Sequence, residues 1–258
     1  MAVVFYISGH GFGHASRQVE VINALGTKRP DVPIVVRTAA SPTLLTRTIR
    51  VPYDLRPGAC DSGIVQTSSV EYDDAASVRE AIAFYSTFDR RIAEEVTAIS
   101  SDQVRLIVGD IPPLAFEVAA RLDVPSIAIG NFTWDWIYET HPGLVDAAAW
   151  LPGRIRRAYA TAGLALRLPF AGGFGVFHTT QAVPLICRRP TQPRDATRRD
   201  FHIPADRPAV LLSFGGYGMP SLDLSAVDCP EWTLVVTDRI VPHGDRSLPA
   251  HIVYVEEE

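Results

Sequence analysis

Two histidines inside a glycine-rich turn are the residues best suited to do chemistry. The run is Ser8-Gly9-His10-Gly11-Phe12-Gly13-His14-Ala15-Ser16-Arg17, and it follows the apolar stretch Val3-Val4-Phe5-Tyr6-Ile7. Glycines let a backbone turn tightly and come close to a ligand. A helix that starts beyond such a turn offers free amides to an anion or a sugar hydroxyl. Gly9, His10, Gly11, Gly13 and Arg17 are therefore candidate substrate-binding residues. Asp110 closes a second apolar run, Arg105-Leu106-Ile107-Val108-Gly109. If both runs are parallel strands of one sheet, His14 and Asp110 share its carboxyl edge although 96 positions separate them. An imidazole held by a carboxylate is a general base for a hydroxyl, because the acid fixes the tautomer and stabilises the imidazolium that forms. The plainer readings are that the histidines brace the loop and that Asp110 caps the helix opening at Pro112-Pro113.

A third run, Gly130-Asn131-Phe132-Thr133-Trp134-Asp135-Trp136-Ile137-Tyr138, follows another apolar stretch, Pro125-Ser126-Ile127-Ala128-Ile129. Aromatic faces with amide and carboxylate tips suit a sugar or a nucleoside, which makes Asn131, Trp134 and Asp135 substrate-binding candidates. An aromatic packing cluster at a helix start fits the same residues. Gly215-Gly216 follows a late apolar run and could admit a phosphate to the backbone, although a plain turn explains a Gly-Gly pair equally well.

Several chemistries are excluded by spacing. After Gly9 and Gly11 a dinucleotide fingerprint requires a third glycine where His14 stands, and the second strand ends Arg37-Thr38-Ala39-Ala40 with no ribose-binding acid. No GxxxxGK[ST], HExxH or GxSxG occurs. His141, His178, His202, His243 and His251 lack metal-ligand spacing, so no metal and no organic cofactor are expected.

These residues need a scaffold that aligns strand ends. Apolar β-branched runs alternate with helical patterns, which predicts an α/β fold with a parallel sheet covered on both faces. Strands are expected at residues 3–8, 33–37, 105–109 and 125–129. Helices are expected from Ala15 to about Lys28, over 75–99 as one or two segments, and from Pro112-Pro113 to about Arg121. Residues 188–208 carry Arg188, Arg189, Arg194, Arg198 and Arg199, and read as a solvated connector with a short helix. Strand patterns restart at 209–213, 233–237 and 251–255. The expected organisation is a Rossmann-like domain over 1–187, a linker over 188–207, and over 208–258 the beginning of a second, nucleotide-binding domain, with the chain cut short after Glu258.

The 258 residues include 47% hydrophobic and 21% charged side chains, enough for a large core and incompatible with disorder. With 24 Lys+Arg against 29 Asp+Glu, the net charge of −5 gives no electrostatic footprint for nucleic acid. No apolar run approaches the roughly 20 residues that span a bilayer, and the N-terminal run lacks a basic leader. Cys60, Cys187 and Cys229 are widely spaced. Together these features predict a cytoplasmic protein.

The first loop resembles that of GT-B-type glycosyltransferases, and most closely the glycosyltransferase-like region that precedes the kinase domain in L-arabinokinases, together with its bacterial homologues. Asp61-Ser62-Gly63-Ile64-Val65-Gln66, Gly109-Asp110-Ile111-Pro112-Pro113-Leu114-Ala115, Asn131 to Tyr138, Val183-Pro184-Leu185-Ile186 and Ser213-Phe214-Gly215-Gly216 also match. The resemblance implies a GT-B-like fold of two Rossmann-like domains, with the acceptor on the first and a nucleotide-diphosphate sugar on the second, near Gly215 and Gly216. It implies an inverting hexosyl transfer to a hydroxyl acceptor, with His14 as base, Asp110 as its orienting acid, and no metal. It also carries two alternatives: a non-catalytic sugar-binding or regulatory module associated with a sugar kinase, and a sugar-nucleotide epimerase or hydrolase on the same fold.

Overall fold

The computed structural model describes residues 1–214, 217–219, 222–237 and 249–255. The chain divides into two compact units: Met1–Val65 with Asp73–Arg188, and Gln66–Tyr72 with Arg189–Glu258.

The first unit alternates strands and helices. In chain order it runs β1 (Val3–Ile7), α1 (Gly11–Lys28), β2 (Ile34–Thr38), α2 (Pro42–Thr48) and β3 (Asp54–Pro57). It continues through α3 (Asp74–Ser86), α4 (Phe88–Ile99), β4 (Leu106–Asp110), α5 (Pro113–Leu122) and β5 (Ser126–Gly130). Then come α6 (Trp134–Glu139), α7 (Pro142–Ala147), α8 (Leu151–Tyr159), β6 (Leu164–Arg167) and β7 (Thr180–Ala182). The strands form a seven-stranded sheet in the order β3-β2-β1-β4-β5-β6-β7, and every pairing within it is parallel. Side chains alternate across a strand, and β1 shows it. Val4 and Tyr6 enter the core beneath α3 to α8, while Val3, Phe5 and Ile7 enter the core beneath α1 and α2. All five are buried, as a central parallel strand requires.

In the second unit, α9 (Arg194–Asp200) precedes β8 (Ala209–Leu212), β9 (Thr233–Thr237) and β10 (Ile252–Val255), which pair in parallel in the order β10-β9-β8. Ser69, from the short segment Gln66–Tyr72, donates its hydroxyl to the Phe214 carbonyl at 2.6 Å within this unit. Nothing in the sequence pattern singles out that excursion. The basic connector carries the one short helix expected of it, α9.

Three details differ from the sequence reading. Helix α1 begins at Gly11, four residues ahead of Ala15. Glycine is costly inside a helix, but first-turn amides have no intrahelical partners to lose. The expected helix over 75–99 is two helices, broken at Thr87 where φ is −106° and ψ 14°. Finally, α2, β3, α7, α8, β6 and β7 carry no pattern strong enough to be read from the sequence; most are under eight residues long.

Candidate active site

The parallel register places Ile7 beside Asp110, so the ends of β1 and β4 lie together at the carboxyl edge of the sheet. Only Ser8, Gly9 and His10 connect β1 to α1, and Gly11 has a φ of +71°, which glycine adopts without steric cost. His14 and Arg17 are therefore three residues apart on one helical face, which presents both side chains to the end of β4.

His14 Nδ1 lies 3.1 Å from Asp110 Oδ1. Arg17 Nη2 also lies 3.3 Å from this nitrogen. A guanidinium only donates and a carboxylate only accepts, so the two contacts call for opposite tautomers, and the shorter one assigns the proton to Nδ1 and the lone pair to Nε2. The His14 ring is itself buried, at 6% exposure. Arg17 donates from Nη2 to the same Oδ1 at 2.6 Å and from Nε to Oδ2 at 3.3 Å. Its Nη1 donates to Asn131 Oδ1, also at 3.3 Å. Asp110 is wholly buried. Burial opposes its charge, but attraction and hydrogen bonding, from His14 first and then Arg17, overcome that and hold the carboxyl below the usual carboxylate range. Phe132 meets the His14 ring edge-on, with centroids 5.5 Å apart.

Asp61 is a second buried carboxyl, which the sequence reading names only inside a matching stretch. It accepts from Trp134 Nε1 at 2.8 Å. Burial pushes its pKa up to about 6, against the hydrogen bonds of Trp134 and Ser8. Its spacing from the other residues gives no sequence signal; only the chain's return after β3 brings it close.

The candidate binding residues separate into two groups. Gly13, Arg17 and Asn131 line a cavity of about 520 Å³, together with Ser16, Leu168, Pro169, Phe170 and residues 185–188. Its size suits a small organic ligand, and its walls are mostly apolar with a few convergent polar groups. Gly9 packs against Ala39. The His10 ring rests over Gly63, where any side chain would collide with it, and meets the Trp134 indole edge-on at 5.7 Å. Burial first, then the neighbouring His14, lowers the His10 pKa. Trp134 is 2% exposed, and Asp135 pairs with Arg156 of α8 at 3.1 Å. Neither lines the cavity, in contrast to the expectation from the sequence: the first turn of α6 points its large ring into the core. Gly215 and Gly216 lie outside the described residues.

Among the described residues, no three His, Cys, Asp or Glu side chains form a metal-binding group. No helix among them is long and apolar enough to cross a membrane.

This architecture defines the chain as an α/β protein with the fold of the GT-B glycosyltransferases. A UDP-glucosyltransferase from Polygonum tinctorium, described as capable of glucosylating indoxyl, superposes with a TM-score of 0.60 at 14% identity, over 100% of this chain and 72% of that one. An Arabidopsis thaliana glycosyltransferase complexed with UDP-L-rhamnose gives a TM-score of 0.58 at 14% identity, over 99% and 69% of the two chains. At such identities the likeness establishes the fold alone. In sequence, the chain is similar to L-arabinokinase of Arabidopsis thaliana, 32% identical over 222 residues, which is 84% of this chain and 21% of that protein. The chain thus spans about a fifth of the length of that relative. No family model matches it.

Proposed function

We propose that the chain supports an inverting, nucleotide-sugar-dependent glycosyl transfer of hexosyl type to a hydroxyl acceptor. The first unit holds the acceptor, and the second, near Gly215 and Gly216, contributes to the donor site. The observation that carries the reading is the 3.1 Å approach of His14 Nδ1 to the buried Asp110 carboxylate. A histidine so held takes the acceptor's hydroxyl proton on Nε2 while the freed oxygen pair attacks the anomeric carbon. The bond from that carbon to the diphosphate oxygen breaks with inversion, and the nucleoside diphosphate leaves with the bonding pair. Asp110 stabilises the imidazolium that results. The reading assigns the chemistry to side chains and needs neither a metal nor an organic cofactor. Free Cys60, Cys187 and Cys229 suit a cytoplasmic setting.

The test is transfer from a panel of nucleotide-sugars to hydroxyl acceptors, wild type against His14→Ala, in the full-length protein. A loss of about a hundredfold or more is expected; equal turnover would remove His14 from the mechanism.

One observation favours a second reading. Arg17 occupies the oxygen that His14 approaches, an arrangement that also suits a rigid, non-catalytic sugar-binding module allied to a kinase. Saturable nucleotide-sugar binding by calorimetry, with no product from any acceptor, would decide for it.

A further inference from the structure

Directly after Asp110 the backbone is strained. Ile111 has a φ of +59°. That region is unfavourable for a β-branched residue, and such a conformation persists only where the surroundings enforce it. Two features enforce it here. Gly130, at the end of β5, leaves room for the Ile111 side chain: a Cβ there would stand 2.5 Å from Ile111 Cγ2. And Tyr159, the last residue of α8, donates its hydroxyl to the Ile111 carbonyl at 2.7 Å.

The same hydroxyl accepts from the Trp134 amide at 3.1 Å. Trp134 opens α6, so its amide has no partner within the helix. One phenol oxygen therefore ties the turn that follows Asp110 at the end of β4 to the start of α6, three residues after Asn131, and both Asp110 and Asn131 accept from Arg17. The ring is fixed by Phe116 and Phe177, at centroid distances of 5.8 and 5.3 Å. Burial raises the phenol's pKa well above its ordinary value, so Tyr159 keeps the proton it donates.

We propose that Tyr159 is a positioning residue, whose hydroxyl holds the strained Ile111 peptide and the start of α6 in the arrangement that presents Asp110 to His14. The role rests on the reading of His14 and Asp110 as the reacting pair, but its test does not require transfer.

The experiment compares wild type with Tyr159→Phe, which removes one oxygen and keeps the ring. With 15N-histidine labelling, the ring-nitrogen shifts of His14 report which nitrogen carries the proton. Wild type is expected to show Nδ1–H alone, and Tyr159→Phe a mixture of both tautomers. Tyr138→Phe is the control. Tyr138 is also buried and donates to the Ser62 carbonyl at 2.7 Å, so its loss should lower stability and leave the His14 signal in place. If Tyr159→Phe does not fold, Phe177→Leu replaces it, since a looser socket lets the hydroxyl withdraw. An unmoved His14 signal in the folded variant overturns the proposal, as does an equal change in Tyr138→Phe. Failure of the wild type to transfer sugar would sink the proposed activity and leave this result standing.

Discussion

Arg17 and His14 converge on a single oxygen: Asp110 Oδ1 lies 2.6 Å from the guanidinium and 3.1 Å from the imidazole. The carboxylate is thus shared, and one of its partners carries a permanent positive charge. Removing Arg17 should cost more than a surface ion pair, because Asp110 is wholly buried and would keep only His14. We expect Arg17→Ala to lose about 3 kcal/mol at pH 7 by denaturant titration. The pH dependence follows from the depressed Asp110 pKa. Its stabilisation is present above the unfolded value of 3.8 and disappears as pH falls through the lower folded value. The gap between variant and wild type should therefore close in strong acid. A gap that persists undiminished there would mean that Arg17 acts through packing.

Asp110→Asn separates orientation from charge. The amide can still accept from His14, but it cannot stabilise an imidazolium, and it can present its own N–H to the ring. If the transfer reading holds, kcat should fall about a hundredfold or more while KM for the acceptor stays within a few-fold. Comparable stability must first be shown by thermal unfolding, because Arg17 loses its ionic partner. A rise in KM at constant kcat would instead make Asp110 a binding residue.

Asp61 behaves in the opposite sense. Burial raises its pKa from 3.8 in the unfolded chain to about 6. Between those values the folded protein binds the extra proton, so stability falls as pH rises across the window. Above it, the charged carboxyl costs about 3 kcal/mol. Asp61→Asn keeps an acceptor for Trp134 Nε1 and carries no charge. It should be more stable than wild type at pH 7.5 and no more stable at pH 4, which melting curves at the two values check. A variant less stable at both would show that the ionised form is what the Trp134 and Ser8 hydrogen bonds require.

What could be read before folding was the set of strand ends. Val3–Ile7, Leu106–Asp110 and Ser126–Gly130 are apolar runs that end at serine, aspartate or glycine, and in a parallel sheet such ends share an edge. That is enough to bring His14 toward Asp110 across 96 positions. Side-chain direction was not legible. Trp134 and Asp135 look like ligand-facing groups, but the first turn of α6 sends one into the core and the other to Arg156 on α8, a helix with no sequence signal of its own. Asp61 and Tyr159 were equally hidden. Each matters through partners at least 25 positions away, and no local spacing encodes such a contact.

Phe170 makes the remaining argument. It is 93% exposed, lines the cavity beside Arg17 and Asn131, and has a φ of +60°. If the transfer reading holds, a large exposed ring in that place is suited to contact an apolar acceptor. Phe170→Ala should leave stability within about 0.5 kcal/mol of wild type, since little burial is lost. For an acceptor with an aromatic or aliphatic body, KM should rise about tenfold while kcat holds, because the ring acts equally on ground and transition states. For a small polar acceptor such as a free sugar the substitution should have little effect. Equal loss with both acceptor types would show that Phe170 shapes the loop and does not contact the acceptor.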